Sequence, residues 1–304
     1  MAFDTIDALQ QALASSGYVA DRALATAVFL ALKLGRPLLL EGEAGVGKTE
    51  VAKTLATLQG RRLIRLQCYE GLDAAATIYE WNYTRQLLQI RLAEVGGAAP
   101  DIYAPEFLIR RPLLQAIEAS AEGPPPLLLI DEIDRADEEF EAFLLEFLSD
   151  FQVSIPEIGT VRATRRPFVV LTSNRSRELS EALKRRCLHL QLDYPSPEVE
   201  LEIVRLKAPG IREALAADLV QTIQRLRTAD LRKAPSIGET LDWAQALVVL
   251  GADSLSRELI EETLSVVIKY DRDAEKAIRA LDLNGNGPAH DHAHEHGHPH
   301  HHHH

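Results

Sequence analysis

The chain has 304 residues, of which 46% are hydrophobic and 26% charged, enough to bury a large core and unlike a low-complexity polymer. Its 45 acidic and 33 basic residues leave a formal net charge of −12, which argues against an extended nucleic-acid surface but leaves room for a local basic channel. No apolar run reaches membrane-spanning length, and residues 1–5 lack the basic and apolar regions of a signal peptide. Only two cysteines occur, Cys68 and Cys187, both in or beside expected strands, so the expectation is a cytoplasmic protein with buried, reduced thiols and no stable membrane insertion.

The first element with chemical content begins at Pro37-Leu38-Leu39-Leu40, which reads as a buried strand. It runs into Gly42-Glu43-Ala44-Gly45-Val46-Gly47-Lys48-Thr49 and then a helix-forming run opening at Glu50. A strand, a G-x-x-x-x-G-K-T loop and a helix in that order make a phosphate-binding P-loop, or Walker A element. Gly42, Gly45 and Gly47 let successive backbone N–H groups converge on a phosphate, and the helix N-terminus adds partial positive charge. Lys48 is assigned to the β and γ phosphates of ATP and Thr49 to Mg²⁺.

Residues 63–67 read as the next strand. The stretch 68–126 that follows is longer than one crossover helix needs, leaving room for an extra element over residues 72–92. Leu127-Leu128-Leu129-Ile130 is wholly apolar, as a central parallel strand should be, and ends in Asp131-Glu132. This is a Walker B pattern, with Asp131 holding Mg²⁺ through its water shell and Glu132 polarising the attacking water. The same acids, with Asp134, would also suit a helix start toward Asp137-Glu138-Glu139.

A further buried strand over 168–172 delivers Ser173-Asn174 to the same sheet edge, where Asn174 is placed to orient the lytic water; a turn asparagine before Arg175 is the alternative. A helix over 178–184 ends in Arg185-Arg186 before a strand at 188–192. These two cations either complement the helix dipole or act in trans as arginine fingers on a neighbouring subunit's ATP.

Composition shifts at Tyr194-Pro195-Ser196-Pro197, after which helical patterns take over. Ser196 and Pro197 suit an N-cap and first turn for a helix to 206, and further helices are expected at 211–228, 237–250 and 257–271. The implied domains are 1–193 (α/β, nucleotide-binding), 194–283 (helical) and 284–304 (a disordered His-rich tail). In that tail His290, His292, His294, His296 and His298 alternate along the chain, a set of imidazoles suited to Ni²⁺, Cu²⁺ or Zn²⁺, unless the segment is a purification tag.

With the Walker A and B elements, Asn174 and the arginine pair in hand, residues 5–283 resemble the AAA+ ATPases and, within them, the MoxR family. Several stretches are similar to the MoxR-like ATPases encoded beside aerobic carbon monoxide dehydrogenase genes. They are Leu66-Gln67-Cys68-Tyr69-Glu70-Gly71-Leu72-Asp73, Tyr79-Glu80-Trp81-Asn82-Tyr83, Asp131-Glu132-Ile133-Asp134-Arg135-Ala136-Asp137 and Pro235-Ser236-Ile237-Gly238-Glu239-Thr240-Leu241-Asp242-Trp243. The resemblance implies an α/β P-loop NTPase fold, its parallel sheet flanked by helices, with a helix-2 insert, a hairpin before the sensor strand and a smaller all-α lid.

The hairpin candidate is 151–155, a turn at 156–159 and 160–164, with alternation on both arms. In relatives both inserts face the centre of a ring, so Tyr79, Trp81 and Tyr83 either grip a partner or pack as a strand core. The resemblance further implies a hexameric homo-oligomer, a partner containing a von Willebrand factor A domain and a metalloenzyme client resembling carbon monoxide dehydrogenase. Two other classes stay open: a nucleic-acid-linked motor or regulator, and a metal storage or delivery protein using the tail. One departure is the lid helix start, where Ser236 and Glu239 form an S-x-x-E capping box instead of the family's sensor 2 arginine, leaving Arg232 or Lys233 as the nearest substitutes.

Overall fold

The computed structural model describes residues 3–96, 99–121 and 123–282, so the histidines from His290 to His298 lie outside the described residues. In chain order the strands are β1 (Leu38–Gly42), β2 (Leu63–Gln67), β3 (Tyr79–Trp81), β4 (Leu108–Arg110), β5 (Leu127–Asp131), β6 (Gln152–Ile155), β7 (Gly159–Arg162), β8 (Phe168–Ser173) and β9 (Leu188–Leu192). Five of them form one parallel sheet in the order β2-β5-β8-β1-β9. The three inner strands β1, β5 and β8 are buried along their whole length, whereas the edge strands β2 and β9 alternate. That is why the inner strands are near-continuous apolar runs: helices cover both faces of a parallel sheet, so no inner position can be polar without a partner.

The helices around the sheet are α1 (Ile6–Ser15), α2 (Arg22–Leu34), α3 (Lys48–Leu58), α4 (Ala74–Ile78), α5 (Tyr83–Gly96), α6 (Pro112–Glu118), α7 (Glu138–Asp150), α8 (Glu181–Arg186) and α9 (Pro197–Lys207). α1, α2 and α3 bury Leu9, Val28 and Leu55 against Leu38, Leu40 and Leu129 on one face. α6 and α7 bury Leu113, Phe140 and Phe147 against Leu39, Leu128 and Val169 on the other. Each such side chain taken fully from water contributes about 1.5–3 kcal/mol.

The expected insert over 72–92 resolves into α4, β3 and the first turns of α5, with β3 paired antiparallel to β4. Here the structure decides between the two readings of the insert's aromatics. Trp81 is 5% exposed and packs edge-on against Tyr79 (6.1 Å between centroids) and Tyr103 (5.3 Å), so it belongs to the core and cannot grip a partner. Tyr83 is exposed because it opens α5 rather than extending the strand.

The hairpin forms as β6 and β7, with Ser154 opposite Thr160 and Gly159 in the left-handed region at φ 100°. Its first arm starts one residue later than expected, because Phe151 ends α7 in a left-handed conformation at φ 47°. Val153 and Ile155 bury the inner face of that arm, whereas β7 is mostly exposed.

By contacts the chain divides into two units. The first comprises residues 1–209 with Ser236–Gly238, so α9 lies in the sheet unit although the composition shifts at 194. The second comprises Gly210–Pro235 and the chain from Glu239. It contains α10 (Glu213–Thr228), most of α11 (Ile237–Val249), α12 (Arg257–Thr263) and α13 (Asp271–Ala280). Its core holds Leu219, Ile223, Leu226, Trp243 and Leu247, and the Trp243 indole N–H donates to Thr263 Oγ1 at 2.8 Å. The single helix expected over 257–271 gives way after Thr263 to a 3-10 turn over Leu264–Val266, and α13 starts afresh beyond it. Among the described residues no helix is long and apolar enough to cross a membrane.

Candidate nucleotide site

The site sits at the carboxyl ends of β1, β5 and β8, the general location of ligands in open parallel sheets. At the end of β1 a Cβ on Gly42 would lie 2.1 Å from the Leu192 carbonyl oxygen, so only glycine fits. Gly45 and Gly47 then adopt φ of 81° and 100°, which curls the loop toward the start of α3. The α3 N-terminus has no side-chain cap, leaving its N–H groups for a ligand. The Lys48 ammonium is buried within the loop and donates to the carbonyls of Gly42 and Glu43, both at 2.7 Å. Burial pulls its pKa below the ordinary lysine value, against the opposing pull of Asp134, Asp131 and Glu43.

The Thr49 hydroxyl donates to Asp131 Oδ1 at 3.1 Å, so the Walker A and Walker B elements meet as expected. Asp131 is 2% exposed and accepts two further partners: the Thr172 hydroxyl from β8 and the Arg65 guanidinium from β2. Thr172 Oγ1 in turn accepts from the Glu132 backbone N–H at 2.9 Å. Glu132 stands in a left-handed conformation at φ 55°, costly for a side chain with a Cβ and typical of functional positions. Its carboxylate is partly exposed and lies 3.4 Å from Arg135.

Asn174 follows β8 and is held by a residue that sequence reasoning treated only as a possible helix start. Asp134, three positions beyond Asp131, accepts the backbone N–H groups of Asn174 (3.1 Å) and Ser176 (2.9 Å) and the Ser176 hydroxyl (2.6 Å). Burial alone would raise the Asp134 pKa. The hydrogen bonds from the Ser176 side chain, the Ser176 backbone and the Asn174 backbone nevertheless keep it below the usual aspartate value. Between them Arg175 adopts φ 59° and points its guanidinium to Glu43 of the P-loop at 3.4 Å.

Because the folded Asp134 pKa is depressed, its stabilisation is complete above the unfolded value of about 3.9 and is lost as pH falls through the lower folded value. Asp134→Ala is therefore expected to cost about 1–3 kcal/mol near neutral pH and to lower kcat by misplacing Asn174. The denaturation curves of variant and wild type should converge in strong acid. A constant gap down to pH 2 would show that the charge of Asp134 is not what holds the loop.

Arg185 and Arg186 occupy the last turn of α8, both exposed, and no described contact joins them to the P-loop, Asp131 or Glu132 of their own chain. The last carbonyls of that turn are instead capped by Arg36, which donates to Arg185 O at 2.6 Å and Cys187 O at 3.0 Å, while Arg186 bonds the Ser149 hydroxyl. Of the two residues nearest the missing sensor 2 arginine, Arg232 stacks over the Tyr270 ring at 4.5 Å and Lys233 pairs with Glu239 at 2.8 Å, both within the helical unit. Cys68 and Cys187 are buried and unpaired, and burial pushes both thiols up to about 12.

Arg65, Thr172, Asp134 and Arg175 were not singled out from the sequence as site residues. The only signals for them were a charge or hydroxyl interrupting an apolar strand and the D-x-x-D spacing after β5. The donor set fits a magnesium-bound triphosphate: a loop curled by the positive φ of Gly45 and Gly47, a buried ammonium, and the hard oxygens of Thr49 and Asp131. When bound, the metal would neutralise charge on the phosphates.

Residues 37–187 match the family described as AAA domain (dynein-related subfamily). Among curated relatives, the uncharacterized protein YojN of Bacillus subtilis is 27% identical over 284 residues, covering 88% of this chain and 84% of the relative. An uncharacterized protein of Staphylococcus haemolyticus is 23% identical over 264 residues (83% and 91%). Protein CbbQ of Hydrogenophilus thermoluteolus is 25% identical over 199 residues (63% and 65%). A solved structure of a point mutant of RuvB from Thermotoga maritima is 19% identical, with a TM-score of 0.48 over 90% of this chain and 73% of that one. With the P-loop, the Walker B strand and Asn174 all inside the matched segment, residues 37–187 carry an AAA domain, which implies binding of ATP with Mg²⁺ and its hydrolysis.

Proposed function

We propose that this ATPase is a MoxR-type chaperone in which ATP hydrolysis drives remodelling or activation of a metalloenzyme client resembling carbon monoxide dehydrogenase. It acts as a ring of copies, hexameric by resemblance, with a von Willebrand factor A domain partner and with the helical unit that begins at Gly210 serving as the lid. The similarity to CbbQ, a MoxR-like protein, supports the broader part of this reading. The observation that carries it is the orientation of α5. This helix turns a polar side chain inward, Gln86, whose amide donates to the Ile102 carbonyl at 2.6 Å. Outward it presents Leu87, Leu88, Leu92 (57% exposed) and Val95 (91% exposed). Four large apolar side chains exposed on one helix suit a docking surface, since a partner covering them would remove apolar area from water.

Double replacement Leu88→Glu with Leu92→Glu should leave basal ATP hydrolysis intact, because α5 contributes nothing to the nucleotide site. It should weaken binding of the client or partner about tenfold or more, as loss of a central apolar anchor does. Co-purification and client activity in cells measure this, and unimpaired client activation by the double variant would remove α5 from the function.

A further inference from the structure

Arg65 stands in the middle of edge strand β2, opposite Leu129 of β5, on the same face as Gln67 and Asp131. Its guanidinium donates to Asp131 Oδ2 through Nε at 3.0 Å and through a terminal nitrogen, which also reaches Gln67 Oε1 at 2.6 Å. The other oxygen of Asp131 is taken by the Thr49 and Thr172 hydroxyls. A carboxylate this deeply buried needs a cation close by; Lys48 acts on it from the P-loop, and Arg65 is the cation hydrogen-bonded to it. The arginine side chain itself is 49% exposed, so it can move into water at small cost. A Mg²⁺ ion at Thr49 would draw on the same carboxylate, and two cations crowded on one carboxylate repel each other.

We propose that Arg65 is a positioning residue acting through Asp131: it is the resident counter-cation of the Walker B carboxylate, and Mg²⁺ loading with nucleotide is an exchange of cations rather than an addition. Arg65 thereby sets the Mg²⁺ concentration at which the site fills, a role that rests on Asp131 being the magnesium-facing acid.

The test is binding of a fluorescent ADP analogue to the full chain across a Mg²⁺ titration, with a chelated, metal-free baseline. Arg65→Gln is expected to lower the half-saturating Mg²⁺ concentration about fivefold or more, the usual lower size of coupling between two ligands, and to leave metal-free affinity unchanged. Arg65→Lys, which keeps the charge, should return the midpoint toward wild type. Arg65→Met provides a second neutral variant should the glutamine form not fold. An unmoved midpoint accompanied by a lower melting temperature would make Arg65 merely structural, and a raised midpoint would make it an aid to the metal; either result overturns the proposal. Asp131→Asn separates the two levels, since a midpoint unmoved in that variant would instead sink the assignment of Asp131.

Discussion

Replacing Glu132 by Gln should lower kcat by about 10²–10⁴-fold while leaving ATP and ADP affinity near wild type. The substitution keeps the shape of the side chain and the backbone N–H bond to Thr172, and removes only the carboxylate that would take a proton from the attacking water. Glu132 leaves β5 in a left-handed backbone conformation, whereas Asp131 still belongs to the strand and meets Thr49. Lys48→Ala should behave differently, losing nucleotide affinity as well as turnover, because the ammonium lies inside the loop that would hold the phosphates. Phosphate release and fluorescent-nucleotide binding distinguish the two. Turnover at the wild-type rate by Glu132→Gln would exclude the carboxylate as the base.

The second large effect is expected at Arg185 and Arg186. Substituting both by Ala should reduce kcat about 10³–10⁵-fold if they supply charge to the transition state of a neighbouring copy. The alternative role, complementing the α8 dipole from its last turn, needs no neighbouring copy and predicts only a small loss of stability, with kcat unchanged. Since neither arginine touches the site of its own chain, subunits lacking both should regain activity when mixed with Lys48→Ala subunits, at the mixed interfaces alone. Full activity of a dilute sample shown to be monomeric would contradict action in trans.

Much of this site is written in consecutive residues. The P-loop spacing from Gly42 to Thr49, the apolar run ending at Asp131 and the buried strand ending beside Asn174 are each local patterns, because a strand buried on both faces must be apolar along its length and a phosphate loop needs its glycines in series. The hairpin was legible for the same reason, from alternation and a turn, apart from its ends: the left-handed end of α7 claims Phe151, and β7 opens at Gly159 and stops at Arg162. What sequence could not assign were roles that depend on neighbours in the sheet. Arg65 and Asp131 lie on adjacent strands but are separated in the chain by residues 66–130, and only the pairing of β2 with β5 makes one the counter-ion of the other. Asp134 reads as a helix start until the loop after β8 folds over it and takes its oxygens for the amides of Asn174 and Ser176. Trp81 and Leu92 show the same limit in reverse. An aromatic in an insert and a leucine in a helix carry no mark of facing in or out, and it is the packing of β3 with Tyr103, and of α5 through Gln86, that buries the first and exposes the second.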